Sequence, residues 1–591
     1  MVPTRISEQA EAQMSLTGDG THKPGNYWRE YFAAVPVLGG RTMLAAILVL
    51  GFLLRVAWMA TEAPVISSDG AEYARMAEHL FHDHALVGNF EGPEIMYAPL
   101  YPVLIAGAMW VIPNSEAAAH LVALVSGTAL IGIVFLIARN VYGRRIAYIC
   151  ALLTSVHPLL VALSGSIYNE SLYVTLLMAV VYWGLRALDL QRRRYCLLLG
   201  VCIGLAYLTR VEAFAYVLFF VPALVIAGLL RRAVRPAVVG SLILVASFFT
   251  VASPYVAFFY KHTGSLRLEA KWDMNYATAR SRLAGKSSTE SDYGVDMSAT
   301  MKGPTSITIN GPMLAPNELW RWRLAAHSPT LSDKLGTLVA MANYNRWAVY
   351  YDFLSGTIGS PVLLGLVIIG LLRQPWSNRR LRHEGVLLVM ATSVAIVVLI
   401  SSSVEFRYFF PILPLLLLWS GKGLDELGQW IQGWEVLTSG RFSRPRLIAV
   451  AVQLCAVVPL LLLSTRGVIK ESLFVAERNS TALAARDAGL WLADHEPGPK
   501  RVAVRHAVIP YYSKGTLIGL PYADSETTLR YLAMENVDFV VLTSDHARVL
   551  PTISDWIAHG IPDARARLIY DRTNPEGDRV VIYRWAVGPQ G

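Results

Sequence analysis

Charged residues are scarce in this chain. Asp, Glu, Lys and Arg make up 16% of its 591 positions, whereas 54% are hydrophobic. One soluble core does not need so much apolar surface, and the apolar residues fall into segments of about 18–22 residues, the length that crosses a bilayer. The composition therefore excludes an ordinary soluble enzyme and predicts a polytopic α-helical membrane protein.

Cysteine is also rare. The four cysteines lie inside apolar segments, without the spacing of a disulfide framework or a zinc knuckle, so we expect them to be small core residues. They are Cys150, Cys196, Cys202 and Cys455. Residues 1–41 lack an early apolar run, which predicts no cleavable signal peptide and makes Met43–Ala60 a signal anchor. The net charge of +9 falls mostly in short Arg-rich links between apolar segments, which argues against nucleic acid as a partner.

The apolar segments predict about eleven transmembrane helices. We place them at residues 43–60, 118–138, 146–163, 171–185, 195–208, 213–230, 237–259, 353–372, 385–402, 408–421 and 447–464. The Arg-rich links then share one side, which the positive-inside rule makes cytoplasmic. The run 100–113 is apolar but only about fourteen residues long, so we interpret it as a juxtamembrane or re-entrant helix.

This topology predicts a cytoplasmic segment 1–41, a transmembrane domain 42–464 and an extracytoplasmic domain 465–591. Two outer loops, about 61–117 and 260–352, belong to the transmembrane domain. The tail shows strand patterns at 501–505, 538–544, 566–571 and 579–585 and helical patterns at 481–495, 524–536 and 548–559, which predict a small α/β domain. Because it has no G-x-G-x-x-G, P-loop or HExxH motif, we expect it to pack on the membrane part or shape acceptor access.

Ionisable residues cluster at the predicted outer ends of helices. Placing an ionisable side chain at membrane depth costs free energy, so several such residues on one face of the protein indicate a functional site. Each also has a structural alternative: Asp69 could cap a helix Gly70–Phe81, Glu170 could cap the fourth span, and the arginines could form local ion pairs. The set comprises Asp69, Glu72, Glu170, Arg210, Glu212, Glu405 and Arg407.

Four motifs follow the segment that carries Asp69. They are Tyr97–Pro102, Tyr168–Leu172, Leu208–Glu212 and Arg407–Pro414. In this order they resemble landmarks of the GT-C glycosyltransferases, and the likeness runs over most of residues 43–464. The closest branch is that of protein O-mannosyltransferases and bacterial lipid A aminoarabinose transferases, which implies the cytoplasmic (inner) membrane of a bacterium.

The resemblance implies a polyprenyl-phosphate-linked sugar as donor, an active site on the outer face, and Asp69 as catalytic base. Two positions depart from the family pattern. Protein mannosyltransferases carry Asp-Glu where this chain has Asp69-Gly70, and aminoarabinose transferases typically carry Lys-Pro-Pro where it has Tyr97-Ala98-Pro99. The sugar and the acceptor, whether glycan, lipid or protein, are therefore left open.

The residues themselves support a chemical scheme. A lipid phosphate is a good leaving group, so the reaction needs a cation for its developing charge and a base for the acceptor hydroxyl. We expect Asp69 and Glu170 to be catalytic, and a single displacement with inversion. The expected substrate-binding residues are Glu72, Tyr97, Arg210, Glu212, Arg407 and Tyr408. A divalent metal ion bridging Asp69 and Glu170 is left open, and the competing function is a transporter or lipid flippase.

Overall fold

The computed structural model describes most of the chain. The described residues are 40–62, 65–269, 271–296, 308–309, 330–354, 361–373, 376–402, 404–438 and 480–586. The chain divides into two compact units, residues 1–47 and 48–591, and the first is described only over its last eight residues. These begin the first helix.

Helices dominate the part before the tail. The first ten are α1 Gly40–Glu62, α2 Ser68–His82, α3 Leu100–Met109, α4 Ser115–Val141, α5 Arg144–Val156, α6 Pro158–Gly165, α7 Glu170–Leu190, α8 Arg193–Tyr207, α9 Ala215–Leu230 and α10 Val234–Thr263, with a 3-10 turn Val211–Phe214 before α9. Next come α11 Lys271–Leu283, α12 Ser288–Tyr293, strands β1 Val295–Asp296 and β2 Thr308–Ile309, α13 Leu331–Leu354, α14 Pro361–Leu372, α15 Asn378–Leu399, a 3-10 helix Phe406–Ile412 and α16 Leu413–Thr438.

Among the described residues, six helices are long and apolar enough to cross a membrane, and the bent pair α5–α6 would make seven. The six are α1, α4, α7, α10, α15 and the segment Val211–Leu230. Of the other predicted spans, α8 and α14 are helical but have only 15 and 12 residues. The predicted span 408–421 is divided between the second 3-10 helix and α16, and 447–464 lies outside the described residues. The predicted outer loop 260–352 holds most of the 24-residue helix α13, which hydropathy did not predict because the helix carries several polar residues.

The break between α5 and α6 shows how a buried charge is used inside the membrane part. Pro158 has no N–H, so the carbonyl of Thr154 loses its helical partner. Arg55 of α1 is fully buried and donates to the carbonyls of Thr154 and Ser155, at 3.4 and 3.2 Å. The guanidinium thus satisfies backbone acceptors that a 56° bend would otherwise leave without partners in an apolar medium.

Helices α2 and α3 lie in the segment 61–117, which is the predicted first outer loop and keeps that name here. Ser67 caps α2 by accepting a hydrogen bond from the N–H of Gly70 at 3.0 Å. Helix α3 lies within the run 100–113, and its ten residues extend only about 15 Å, half of a bilayer core. It packs against α2 and α4.

The tail is an α/β domain, as its sequence pattern predicted. A helix at 480–495, α17, precedes a five-stranded sheet of order β4-β3-β5-β7-β6. Strands β4, β3 and β5 are parallel, and β7 and β6 are antiparallel. The bounds are β3 Arg501–Val504, α18 Val508–Ser513, β4 Thr516–Gly519, α19 Ser525–Met534, β5 Phe539–Thr543, α20 Ser544–Ala547, α21 Pro551–His559, β6 Ala566–Thr573 and β7 Arg579–Trp585. Strand β4 was missed because its four residues carry no clear alternation.

The two faces of this sheet are covered differently. Val502, Val541 and Ile582 point into a core shared with Ala71 and Ala74 of α2, whereas alternate residues of the same strands pack under α19 and α21. Strand side chains alternate between faces, so one face packs under α19 and α21, and the other shares a core with α17, α18 and the first outer loop. The tail therefore packs on the first outer loop.

Candidate active site

Four separate segments bring charged side chains into one cluster. Asp69 comes from the first turn of α2, Glu170 begins α7, Arg210 precedes the 3-10 turn, and Arg407 lies in the second 3-10 helix. These positions are up to 338 residues apart in the chain. We call this group, with Glu212 and Glu405, the outer cluster.

Arg407 links the two carboxylates that were expected to be catalytic. Its Nη1 lies 2.6 Å from Asp69 Oδ2, and its Nε lies 2.6 Å from Glu405 Oε2 and 3.7 Å from Glu170 Oε1. Burial lowers the pKa of the Arg407 guanidinium, but Asp69 and Glu170 outweigh burial and raise that pKa well above its ordinary value. Arg407 is a permanent cation at the centre of the cluster.

Arg210 shares Glu170 with Arg407. Its Nη1 lies 3.1 Å from Glu170 Oε1 and its Nη2 lies 3.4 Å from Glu212 Oε1. Arg210 Nη1 and Arg407 Nε both approach Glu170 Oε1, at 3.1 and 3.7 Å. These two nitrogens therefore lie no farther apart than the two distances added together. The local ion pairs Arg210–Glu212 and Arg407–Glu405 both exist, but each arginine also reaches Glu170.

Tyrosine rings support both guanidinium groups. The Tyr408 ring centroid lies 5.1 Å from the Arg210 guanidinium carbon and 5.7 Å from that of Arg407, within the range of a cation–π contact. Tyr168 lies under Arg407 at 5.3 Å. Burial, followed by Glu405, raises the pKa of Tyr408 to about 12, so its hydroxyl stays protonated. Tyr168 was not singled out as a site residue, although it belongs to one of the quoted motifs.

Asp69 is oriented toward this cluster rather than used as a helix cap, since Ser67 supplies the cap. Tyr97 donates to Asp69 Oδ1 at 3.4 Å. The next residue, Gly70, allows close packing: a Cβ there would meet Ile66 Cγ1 at 2.9 Å and the Ile167 carbonyl oxygen at 3.1 Å. The acidic residue that protein mannosyltransferases carry at this position would not fit without a local shift.

Glu72 does not reach the outer cluster through any hydrogen bond of the described residues. Its buried carboxylate accepts hydrogen bonds from Asn89 N, at 2.9 Å, and from Asn89 Nδ2, also at 2.9 Å. Burial and the nearby carboxylate of Glu94 raise the pKa of Glu72. The structure thus gives Glu72 a buried position in which it holds Asn89 of the following loop.

The tail docks on the same helix that carries Asp69. Arg75 of α2 is buried and donates from Nη2 to the carbonyls of Pro510 and Tyr511, at 3.1 and 2.9 Å. The N–H of Ala507 donates to Ser68 Oγ at 3.2 Å, one residue before Asp69. Sequence reasoning did not find these contacts, because the partners are more than 430 residues apart.

The charges of the outer cluster do not balance. Four carboxylates, those of Asp69, Glu170, Glu212 and Glu405, surround the two guanidinium groups of Arg210 and Arg407. Glu170 Oε2 is buried and has no hydrogen-bond partner among the described residues. An excess of acceptors and negative charge of this kind suits a bound cation, and a carboxylate pair is a suitable donor set for a divalent ion.

Comparisons with known proteins give the fold. A family model described as dolichyl-phosphate-mannose-protein mannosyltransferase matches residues 96–258. Comparison with curated proteins finds no match. Among solved structures, ArnT from Cupriavidus metallidurans bound to undecaprenyl phosphate is similar, with 15% identity over 93% of this chain and 98% of its own, at a TM-score of 0.52.

Two structures from Archaeoglobus fulgidus are also similar. The oligosaccharyltransferase AglB in complex with an inhibitory peptide and a dolichol-phosphate shows 13% identity over 92% of this chain and 74% of its own, with a TM-score of 0.53. The oligosaccharyltransferase tethered with an acceptor peptide shows 14% identity over 92% and 74%, with a TM-score of 0.56. With the family-model match, these structures show that the chain has the fold of the GT-C membrane glycosyltransferases.

Proposed function

We propose that this protein is an inverting glycosyltransferase that moves a sugar from a polyprenyl-phosphate-linked donor to an acceptor hydroxyl on the outer face of the cytoplasmic membrane. The convergence of Asp69, Glu170, Arg210 and Arg407 in one partly exposed cluster is the observation that carries this proposal. The GT-C fold agrees with it, since ArnT and AglB were solved with lipid phosphates bound.

The two arginines are suited to hold the donor phosphate. Guanidinium groups bind phosphate oxygens in a planar fork, and a pair of them can share one phosphate. Their side chains are 20% and 22% exposed, so a lipid headgroup can reach them. As the bond to the sugar breaks, negative charge builds on the phosphate, and fixed cations stabilise it most in the transition state.

Asp69 is the proposed base. Its carboxylate lies 2.6 Å from a guanidinium nitrogen of Arg407. A phosphate that binds Arg407 competes with this carboxylate, so donor binding would release Asp69 to accept the proton of the acceptor hydroxyl. The Asp69 side chain is 31% exposed, which leaves access for an acceptor.

Glu170 has a different role in this scheme. Only 4% of its side chain is exposed, and its Oε1 contacts both arginines. We infer that it fixes the two guanidinium groups at a separation that suits one phosphate. A divalent ion between Asp69 and Glu170 would offset the excess negative charge. If such an ion takes part, removing it with a chelator should lower the activity. With one base and no second nucleophile in the scheme, the sugar would be transferred with inversion.

The alternative is a transporter or lipid flippase. Transporters place polar groups near the membrane midplane, between structural repeats. Here the outer cluster lies in the turns that begin or precede helices, beside the first outer loop and the tail. This position favours chemistry at the membrane surface over passage through the bilayer.

The test combines genetics with lipid binding. In a deletion strain, mass spectrometry of surface glycans should show the loss of one sugar, restored by the wild-type gene. Polyprenyl phosphate should bind the purified protein, and Arg407→Lys or Arg210→Lys should weaken this by about 30-fold or more, the effect of losing a charged hydrogen bond of about 2–3 kcal/mol. Arg565→Lys is the matched control, because Arg565 grips Asp563 through two nitrogens in the tail, at 3.0 and 2.6 Å. Unchanged glycans together with unchanged affinity would refute the proposal.

A further inference from the structure

A second group of metal-ligating side chains lies in the tail. His506, Asp545 and His546 each offer one ligand atom, and these three atoms lie within 4.8 Å of one another. In the part of the chain that the structure describes, this is the one group of three or more such residues found. It shares no member with the outer cluster.

The topology explains why these residues meet. His506 follows the end of β3 by two residues, while Asp545 and His546 lie in α20, directly after β5. Strands β3 and β5 are parallel neighbours, so their carboxyl ends lie at the same edge of the sheet. In open α/β sheets this edge is where ligands usually bind.

The contacts inside the group are poor as hydrogen bonds. His546 Nε2 lies 3.6 Å from Asp545 Oδ2, which is too long for an N–H···O bond. Two ligands of a tetrahedral metal with bonds of about 2.0–2.1 Å are separated by about 3.3 Å, close to this distance. His546 is 2% exposed, and its Nδ1 has no hydrogen-bond partner among the described residues. Burying an imidazole is costly unless its ring nitrogens find partners, and an ion at Nε2 would supply one.

We propose that His506, Asp545 and His546 bind a zinc-type transition-metal ion and leave one coordination position open. Two imidazoles and one carboxylate are a donor set that zinc accepts with water or a substrate atom in the fourth position. The Asp545 side chain is 34% exposed, which gives the ion a path of entry.

The site would also stabilise the docking of the tail. Ala507, the residue after His506, donates to Ser68 Oγ beside Asp69. An ion held by His506 fixes the turn between β3 and α18, and with it this contact. We therefore expect zinc to raise the melting temperature of the full-length protein. This inference does not depend on the proposed transferase function.

Metal binding by full-length protein in detergent tests the proposal. After treatment with chelator, the wild type should regain about one zinc per chain, and cobalt should give the visible absorption bands of a tetrahedral site. His506→Gln and Asp545→Asn should each weaken zinc binding by about 100-fold or more, since even indirect changes at such sites cost 10–100-fold. Neither variant removes the buried His546, so both should fold.

His559→Gln is the matched control. His559 pairs with Asp555 in the same domain at 2.9 Å and has no third ligand in the described chain. Its variant should keep wild-type zinc affinity and the zinc-dependent rise in melting temperature. A wild type that takes up neither zinc nor cobalt, or a His506→Gln variant that binds zinc as tightly as the wild type, would overturn the proposal.

Discussion

The role of Asp69 can be separated from its ion pair by comparing two substitutions around the same arginine. Asp69 and Glu405 each lie 2.6 Å from a nitrogen of Arg407, with side chains 31% and 45% exposed. Asp69→Asn and Glu405→Gln each remove one negative charge from Arg407 and keep the shape of the side chain. If Asp69 is the base, only the first removes a proton acceptor.

The expected magnitudes differ. An ion pair this exposed contributes about 0.2–1 kcal/mol, so neither variant should unfold, and Glu405→Gln should lose no more than about fivefold in turnover. Loss of a general base costs about 100-fold or more, which is the expectation for Asp69→Asn. Ser67 rather than Asp69 caps α2, so the substitution leaves the helix start intact.

The assay can use the cell's own lipids as the donor. Purified protein is incubated with a lipid extract of the deletion strain and its envelope fraction, and mass spectrometry follows the release of polyprenyl phosphate. Melting curves and polyprenyl phosphate affinity check that both variants are folded and bind. Near-normal turnover of Asp69→Asn would remove Asp69 from the mechanism. Equal losses in the two variants would reduce it to an ion-pair partner of Arg407.

Three further predictions concern the loop, the tail and the topology. The pKa of Glu72 is raised in the folded protein. Its contribution to stability is therefore complete below the ordinary carboxyl pKa of about 4.3 and is lost as the pH rises toward the raised value. Glu72→Gln should show a smaller fall in melting temperature from pH 5 to pH 8 than the wild type, and equal falls would contradict the assignment. Arg75→Met should leave two buried carbonyls without their donor, at a cost of about 3 kcal/mol, and should increase hydrogen exchange in α18. The matched control, Arg530→Met at an exposed position of α19, should not. A fluorescent protein that matures only in the cytoplasm, fused after residue 591, should stay dark, and a periplasmic phosphatase there should be active; the reverse result would place the tail in the cytoplasm.

Several features followed from the sequence by local rules. A bilayer accepts only long apolar helices, so spans such as α4 and α10 could be predicted from composition alone. The strands of the tail alternate with helical patterns, and four of its five strands were predicted within two residues. The ionisable residues of the outer cluster stood out because their charge is unusual beside apolar helices.

Other features depended on contacts between distant segments, which no local pattern encodes. The sequence contained Asp69, Glu170, Arg210 and Arg407, but only the packing of α2, α7 and the two 3-10 turns brought both arginines to one oxygen of Glu170. Glu72 was predicted at the site as one of the ionisable residues at an outer helix end. Its partner, Asn89, lies seventeen residues further on, and only the packing of the loop against α2 brought the two side chains together. The group at His506 and Asp545 likewise exists because two parallel strands end at one edge of a sheet.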